Sequence, residues 1–62
     1  MQGSELKEIR KALGMTQAQL AEALDVTSVF VSMMERGTKS IERRTELAVR
    51  YLLVMSQQPA QP

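Results

Sequence analysis

Leu6, Ile9 and Leu13 recur three and four residues apart, with Lys7, Glu8 and Lys11 between them. That spacing gathers the apolar side chains on one face of an α-helix. Ser4 stands where an N-cap belongs, and Glu5 lies in the first turn, where the helix dipole favours negative charge. Gly14 suits the left-handed residue that closes a helix. The pattern predicts a first helix over about 5–13, behind a frayed Met1–Gly3. Leu20, Ala21 and Leu24 repeat the helical spacing, and Thr16 with Gln19 has the form of a capping box. Met15, just before the cap, is placed to staple into the helix. A second helix is predicted over about 17–24, followed by Asp25 in a turn and Val26 pointing back inside.

Thr27 or Ser28 caps a third helix, which Gly37 ends after about Arg36. This helix carries Val29, Phe30, Val31, Met33 and Met34, more apolar residues than one buried face requires. A polar connection runs from Thr38 to Ile41. The fourth helix, about 42–55, bears a stripe of Leu47, Ala48, Tyr51, Leu52 and Met55, widened by Val49, Leu53 and Val54. From Ser56 the chain has two prolines and no apolar periodicity, so 56–62 is expected to be a disordered tail. The fold class is all-α: one compact four-helix domain over 1–55.

Helix 4 has more apolar surface than closure of such a domain needs. Surplus of that kind on a terminal helix suits a symmetric partner. Val49 and Leu53, four residues apart, are the expected seam of a homodimer, with Tyr51 and Val54 beside them. The alternative is a core helix wrapped on all sides.

Sixty-two residues make one domain, near the lower size limit for folding alone. There is no Cys and no His, which removes disulfides, thiolate metal sites and the commonest general base. The carboxylates are scattered over helix surfaces, so neither catalysis nor a metal or other cofactor is expected. No apolar run reaches the roughly 20 residues of a membrane span. The formal net charge is only +1, but it is unevenly spread. Residues 36–50 hold Arg36, Lys39, Arg43, Arg44 and Arg50 against Glu42 and Glu46, while residues 1–35 carry a balance of −2. A local basic stripe can hold phosphates on a nearly neutral chain.

Thr16 to Gly37, TQAQLAEALDVTSVFVSMMERG, reads as two short helices across a turn of a few residues. Such a helix-turn-helix holds one helix against DNA and presents the second to base edges. The chain from Leu6 to Leu53 resembles the Cro and phage-repressor type of helix-turn-helix domain, the lambda-repressor-like or XRE-type fold. The likeness rests on LKEIRKALGMTQAQLAEAL, then Val26, Val31 and MERG at 34–37. Met34 departs from it, standing where the family usually has a larger aliphatic or aromatic residue. The small Ala21 suits two helices that cross closely.

The resemblance implies a DNA-binding transcriptional regulator, a homodimeric repressor of its own or a neighbouring operon. It would occupy a pseudo-palindromic operator in double-stranded DNA, in the cytoplasm of a prokaryotic cell or phage-infected host, without a small-molecule ligand. It assigns base reading to Ser28, Val29, Ser32 and Met33. Phosphate contacts fall to Gln17, Lys39, Ser40, Arg43 and Arg44, and a structural ion pair to Arg10 and Glu35. Gln17 is otherwise a good surface helix former, and Arg36 a residue that packs or pairs locally. Typical members carry bidentate hydrogen-bonding residues where this chain has Val29 and Met33, whose natural contacts are thymine methyl groups. Phe30 is open to two roles, contact with DNA or a wedge in the core. The alternative function is a protein-interaction module, an antitoxin or adaptor, that uses the apolar surface of helix 3.

Overall fold

The computed structural model describes residues 1–57 and consists of four helices in chain order. They are α1 (Gly3–Ala12), α2 (Gln17–Leu24), α3 (Ser28–Arg36) and α4 (Arg43–Gln57). Helix α3 packs on α1 and α2, and α4 packs on the same two helices. The core between them is Leu6, Ile9, Leu20, Ala21, Val31, Met34 and Val49, all apolar and all buried. Met15, Leu13 and Val26 pack around its rim.

Local chemistry sets most boundaries. The Thr16 hydroxyl accepts from the Gln19 amide at 3.1 Å, and the Gln19 side chain accepts from the Thr16 amide at 2.9 Å. Both halves of the capping box are therefore made. Thr27, not Ser28, caps α3, accepting from the Phe30 amide at 3.1 Å. The turn between these helices needs a left-handed residue, and Asp25 supplies it at φ 60°, as short polar side chains tolerate.

The start of the chain differs from the sequence expectation. Helix α1 begins at Gly3, with Gln2 at the N-cap position and Ser4 inside the helix. Met1 is not frayed: its side chain packs on the core, and its amine lies 3.4 Å from Glu46 Oε1 on α4. Gly3 sits directly on the backbone carbonyls of Met34 and Glu35, where a β-carbon would overlap both oxygens. The lack of a side chain there lets the first turn of α1 close on the last turn of α3.

Helix α4 also corrects an expectation. Val49, proposed for a dimer seam, is 0% exposed and belongs to the core. Leu52 and Leu53 share its face, three and four residues on, half-buried against the same cluster. Leu47, Tyr51, Val54 and Met55 point away and are exposed. Two apolar stripes thus run along opposite sides of α4, and the one with the β-branched Val49 at its centre meets α1 and α2. The helix continues through Ser56 and Gln57, two residues into the expected tail; 58–62 lie outside the described residues. Among the described residues no helix is long and apolar enough to cross a membrane.

Candidate nucleic-acid interface

The joint between α1, α2 and α3 is built around Glu35. Arg10 Nε donates to Glu35 Oε2 at 2.6 Å and Arg10 Nη2 to Oε1 at 3.3 Å. Arg10 Nη1 donates to the Met15 carbonyl at 2.9 Å, tying the loop before α2 to the same guanidinium. Gln17 Nε2 donates to Glu35 Oε1 at 3.1 Å. The Glu35 side chain is 4% exposed and that of Arg10 13%. Burial works to raise the Glu35 carboxyl pKa, but the hydrogen bonds from Arg10 and Gln17 and the charge of Arg10 outweigh it. The carboxyl is held below its ordinary value and is ionised at neutral pH.

This network places Gln17 more tightly than its position on a helix surface requires. It is half-buried at the first turn of α2, with one amide hydrogen committed to α3. Its second amide hydrogen makes no hydrogen bond among the described residues.

Helix α3 turns Val31 and Met34 into the core, while Ser28 and Val29 are exposed in its first turn. Ser32 and Met33, one turn later, are half-buried. Phe30 packs on the core and lines a groove with Leu24, Val26 and Ala48. Of the five residues singled out on α3 for DNA contact, Ser28 and Val29 are thus the most open.

After α3 the chain folds over its end. Gly37 takes φ 82°, and the Thr38 amide and hydroxyl both donate to the Met33 carbonyl, at 3.0 and 3.1 Å. That closure leaves Lys39, Ser40, Arg43 and Arg44 exposed along the connection and the start of α4. Arg44 makes a 3.4 Å contact with Glu42, both well exposed, a pair worth little. Arg50 does not belong with this group. Its Nη2 lies 2.9 Å from Glu46 and 3.1 Å from Glu5, so it latches α4 to α1. Hydrogen bonds to Glu46 and Glu5 hold the Arg50 pKa above its ordinary value, and the Glu46 carboxyl is lowered chiefly by Arg50. The open cations of the stripe are Arg36, Lys39, Arg43 and Arg44.

Sequence reasoning missed Gly3, Met1 and the Glu5–Arg50 bridge. No local pattern marks Gly3, since the apolar spacing begins only at Leu6.

A family model described as Helix-turn-helix matches residues 6–48, more than two thirds of the chain. The match runs from Leu6 on α1 to Ala48 on α4 and includes the whole of α2 and α3. No curated protein and no solved structure matches the chain.

Proposed function

The chain belongs to the helix-turn-helix family of the Cro and phage-repressor type, a family of DNA-binding regulators, and from that premise we propose a homodimeric repressor that acts by occupying its operator. The observation that carries the proposal is the exposure of Ser28 and Val29 on a helix whose opposite face, Val31 and Met34, is locked in the core. A helix in the major groove must offer its first turn to base edges while the rest of the domain holds it at a set angle. The Arg10–Glu35–Gln17 network supports that role by joining α3 to the start of α2.

In this reading Ser28, Val29, Ser32 and Met33 face the bases, with Phe30 chiefly a core residue at the edge of the contact. The free amide hydrogen of Gln17 donates to a phosphate at the start of α2, where the helix dipole and backbone amides favour an anion. Lys39, Ser40, Arg43 and Arg44 grip the backbone beyond α3. Cations in such positions supply affinity and register rather than sequence preference.

The homodimer uses the outer stripe of α4, Leu47, Tyr51, Val54 and Met55, in place of Val49. Leu53 lies at the edge of the core face and contributes little. Two-fold pairing sets the α3 helices one DNA turn apart, about 34 Å, and asks for half-sites about 10 base pairs apart. Repression is then steric, since a bound dimer covers the promoter.

Selection of bound duplexes from a random pool tests the proposal. A recovered motif with two-fold symmetry and that spacing is expected. Recovery of no sequence, or of one asymmetric half-site bound by a monomer, would refute it.

A further inference from the structure

Among the described residues, Val29 is the one exposed large hydrophobic residue outside α4, at 62% exposure. It stands in the first turn of α3, between Ser28 and Ser32. The helix, SVFVSMMER, contains no Asn, Gln or Lys, and its one guanidinium, Arg36, is seven residues on from Val29. At the rise of an α-helix that is about 10 Å away. The side chains that read donor and acceptor patterns bidentately are therefore missing from the first two turns.

What remains there is hydrocarbon flanked by hydroxyls. The Ser28 and Ser32 hydroxyls make no hydrogen bond among the described residues. A hydroxyl rotates to donate or accept, so it treats a thymine O4 acceptor and a cytosine N4 donor alike. Val29 is different. Its branched side chain is stiff on a helix and presents a fixed apolar surface. The apolar feature of the major groove is the C5-methyl group of thymine. A cytosine methylated at C5 carries the same methyl at the same ring position.

Resting on the DNA-binding reading above, we propose that α3 selects C5-methylated pyrimidines through Val29, and accepts 5-methylcytosine in place of thymine. The exposed cations that follow α3 supply the attraction that brings a polyanion to this otherwise apolar surface. Met33, four residues beyond Val29 on the same face, offers a second, half-buried hydrocarbon contact. Cytosine methylation at the Val29 position would then strengthen binding, where loss of the thymine methyl weakens it.

The test uses the full chain and a duplex selected from a random pool, read by fluorescence anisotropy at fixed salt. Each thymine is replaced by uracil in turn, and the most sensitive position is rebuilt with thymine, uracil, cytosine or 5-methylcytosine. Burial of one methyl-sized group is worth about 0.8 kcal/mol, or about fourfold in affinity. Thymine and 5-methylcytosine are expected to bind alike, each about fourfold tighter than uracil and cytosine. Val29→Ser, an exposed change that leaves the core intact, should erase that difference while salt-dependent binding persists. Salt-dependent binding with no methyl-sensitive position, or a methyl effect that survives Val29→Ser, would overturn this inference alone. Absence of salt-dependent binding to any duplex would overturn the DNA-binding reading and this inference with it.

Discussion

Glu35→Gln removes one charge from the joint and little else. The wild-type carboxylate accepts from Arg10 Nε at 2.6 Å, Arg10 Nη2 at 3.3 Å and Gln17 Nε2 at 3.1 Å. An amide of the same shape has one oxygen, so its NH2 must face a donor from Arg10 or Gln17. Arg10, only 13% exposed, loses its counter-charge. Breaking a buried pair from one side costs about 3–5 kcal/mol, and the partial access of Arg10 to water argues for the low end, about 3. A chain of this length has a total stability of roughly 3–9 kcal/mol. The variant should therefore lose a third or more of it. Urea unfolding followed by far-UV circular dichroism, at one protein concentration because the chain is proposed to dimerise, measures the gap. The gap should also depend on pH. Glu35 has a folded pKa below the ordinary 4.5, so its contribution is present above that value and is lost as pH falls through the lower folded value. The variant has no carboxyl at 35 and lacks that part of the acid sensitivity, so the gap should narrow as pH falls through the lower folded value. A gap under about 1 kcal/mol at neutral pH, or one that stays constant into acid, would refute the reasoning.

Other perturbations separate the remaining roles. Arg43→Ala and Arg44→Ala should weaken binding to all sequences and flatten the salt slope by about 0.9 per lost contact, and an unchanged slope would remove them from the phosphate grip. Val49→Asp buries a charge in the core and should leave no cooperative thermal transition, whereas Tyr51→Asp with Val54→Asp should fold as a monomer in sedimentation. A dimer unaffected by the latter pair would place the seam elsewhere. Gly3→Ala should cost about 1–3 kcal/mol, as overpacking does, because the added β-carbon meets backbone at Met34 and Glu35; a melting temperature equal to wild type would show that α1 shifts freely.

The parts of the fold that were legible in the sequence are those fixed by short-range chemistry. Thr16 with Gln19, Thr27 and Gly37 mark helix ends through bonds made within a few residues, and the observed boundaries follow them. The inward faces of α1 and α2 were legible because each carries one dominant apolar stripe, whereas the apolar residues of α3 exceed one face and only packing shows that Val31 and Met34 are the buried pair. Helix α4 carries two stripes, and nothing local says which one meets α1 and α2, so the pattern alone leaves the burial of Val49 in the core open. Gly3 reads as part of a frayed start until the close approach of α3 is known. Among the site residues, the exposure of Ser28 and Val29 follows from the helical period once Val31 and Met34 are inside. The bonds from Gln17 to Glu35 and from Arg50 to Glu5 depend on neighbours 18 and 45 residues away. Periodicity carries no information about such pairs.

The central claim, that this chain grips a DNA backbone beside α3, is tested most directly by the salt dependence of its binding to a selected duplex. Lys39, Arg43 and Arg44 from two protomers make six cationic contacts, and at about −0.9 per contact log K should fall against log salt with a slope near −5. A slope close to zero, or no binding at low salt, would contradict it.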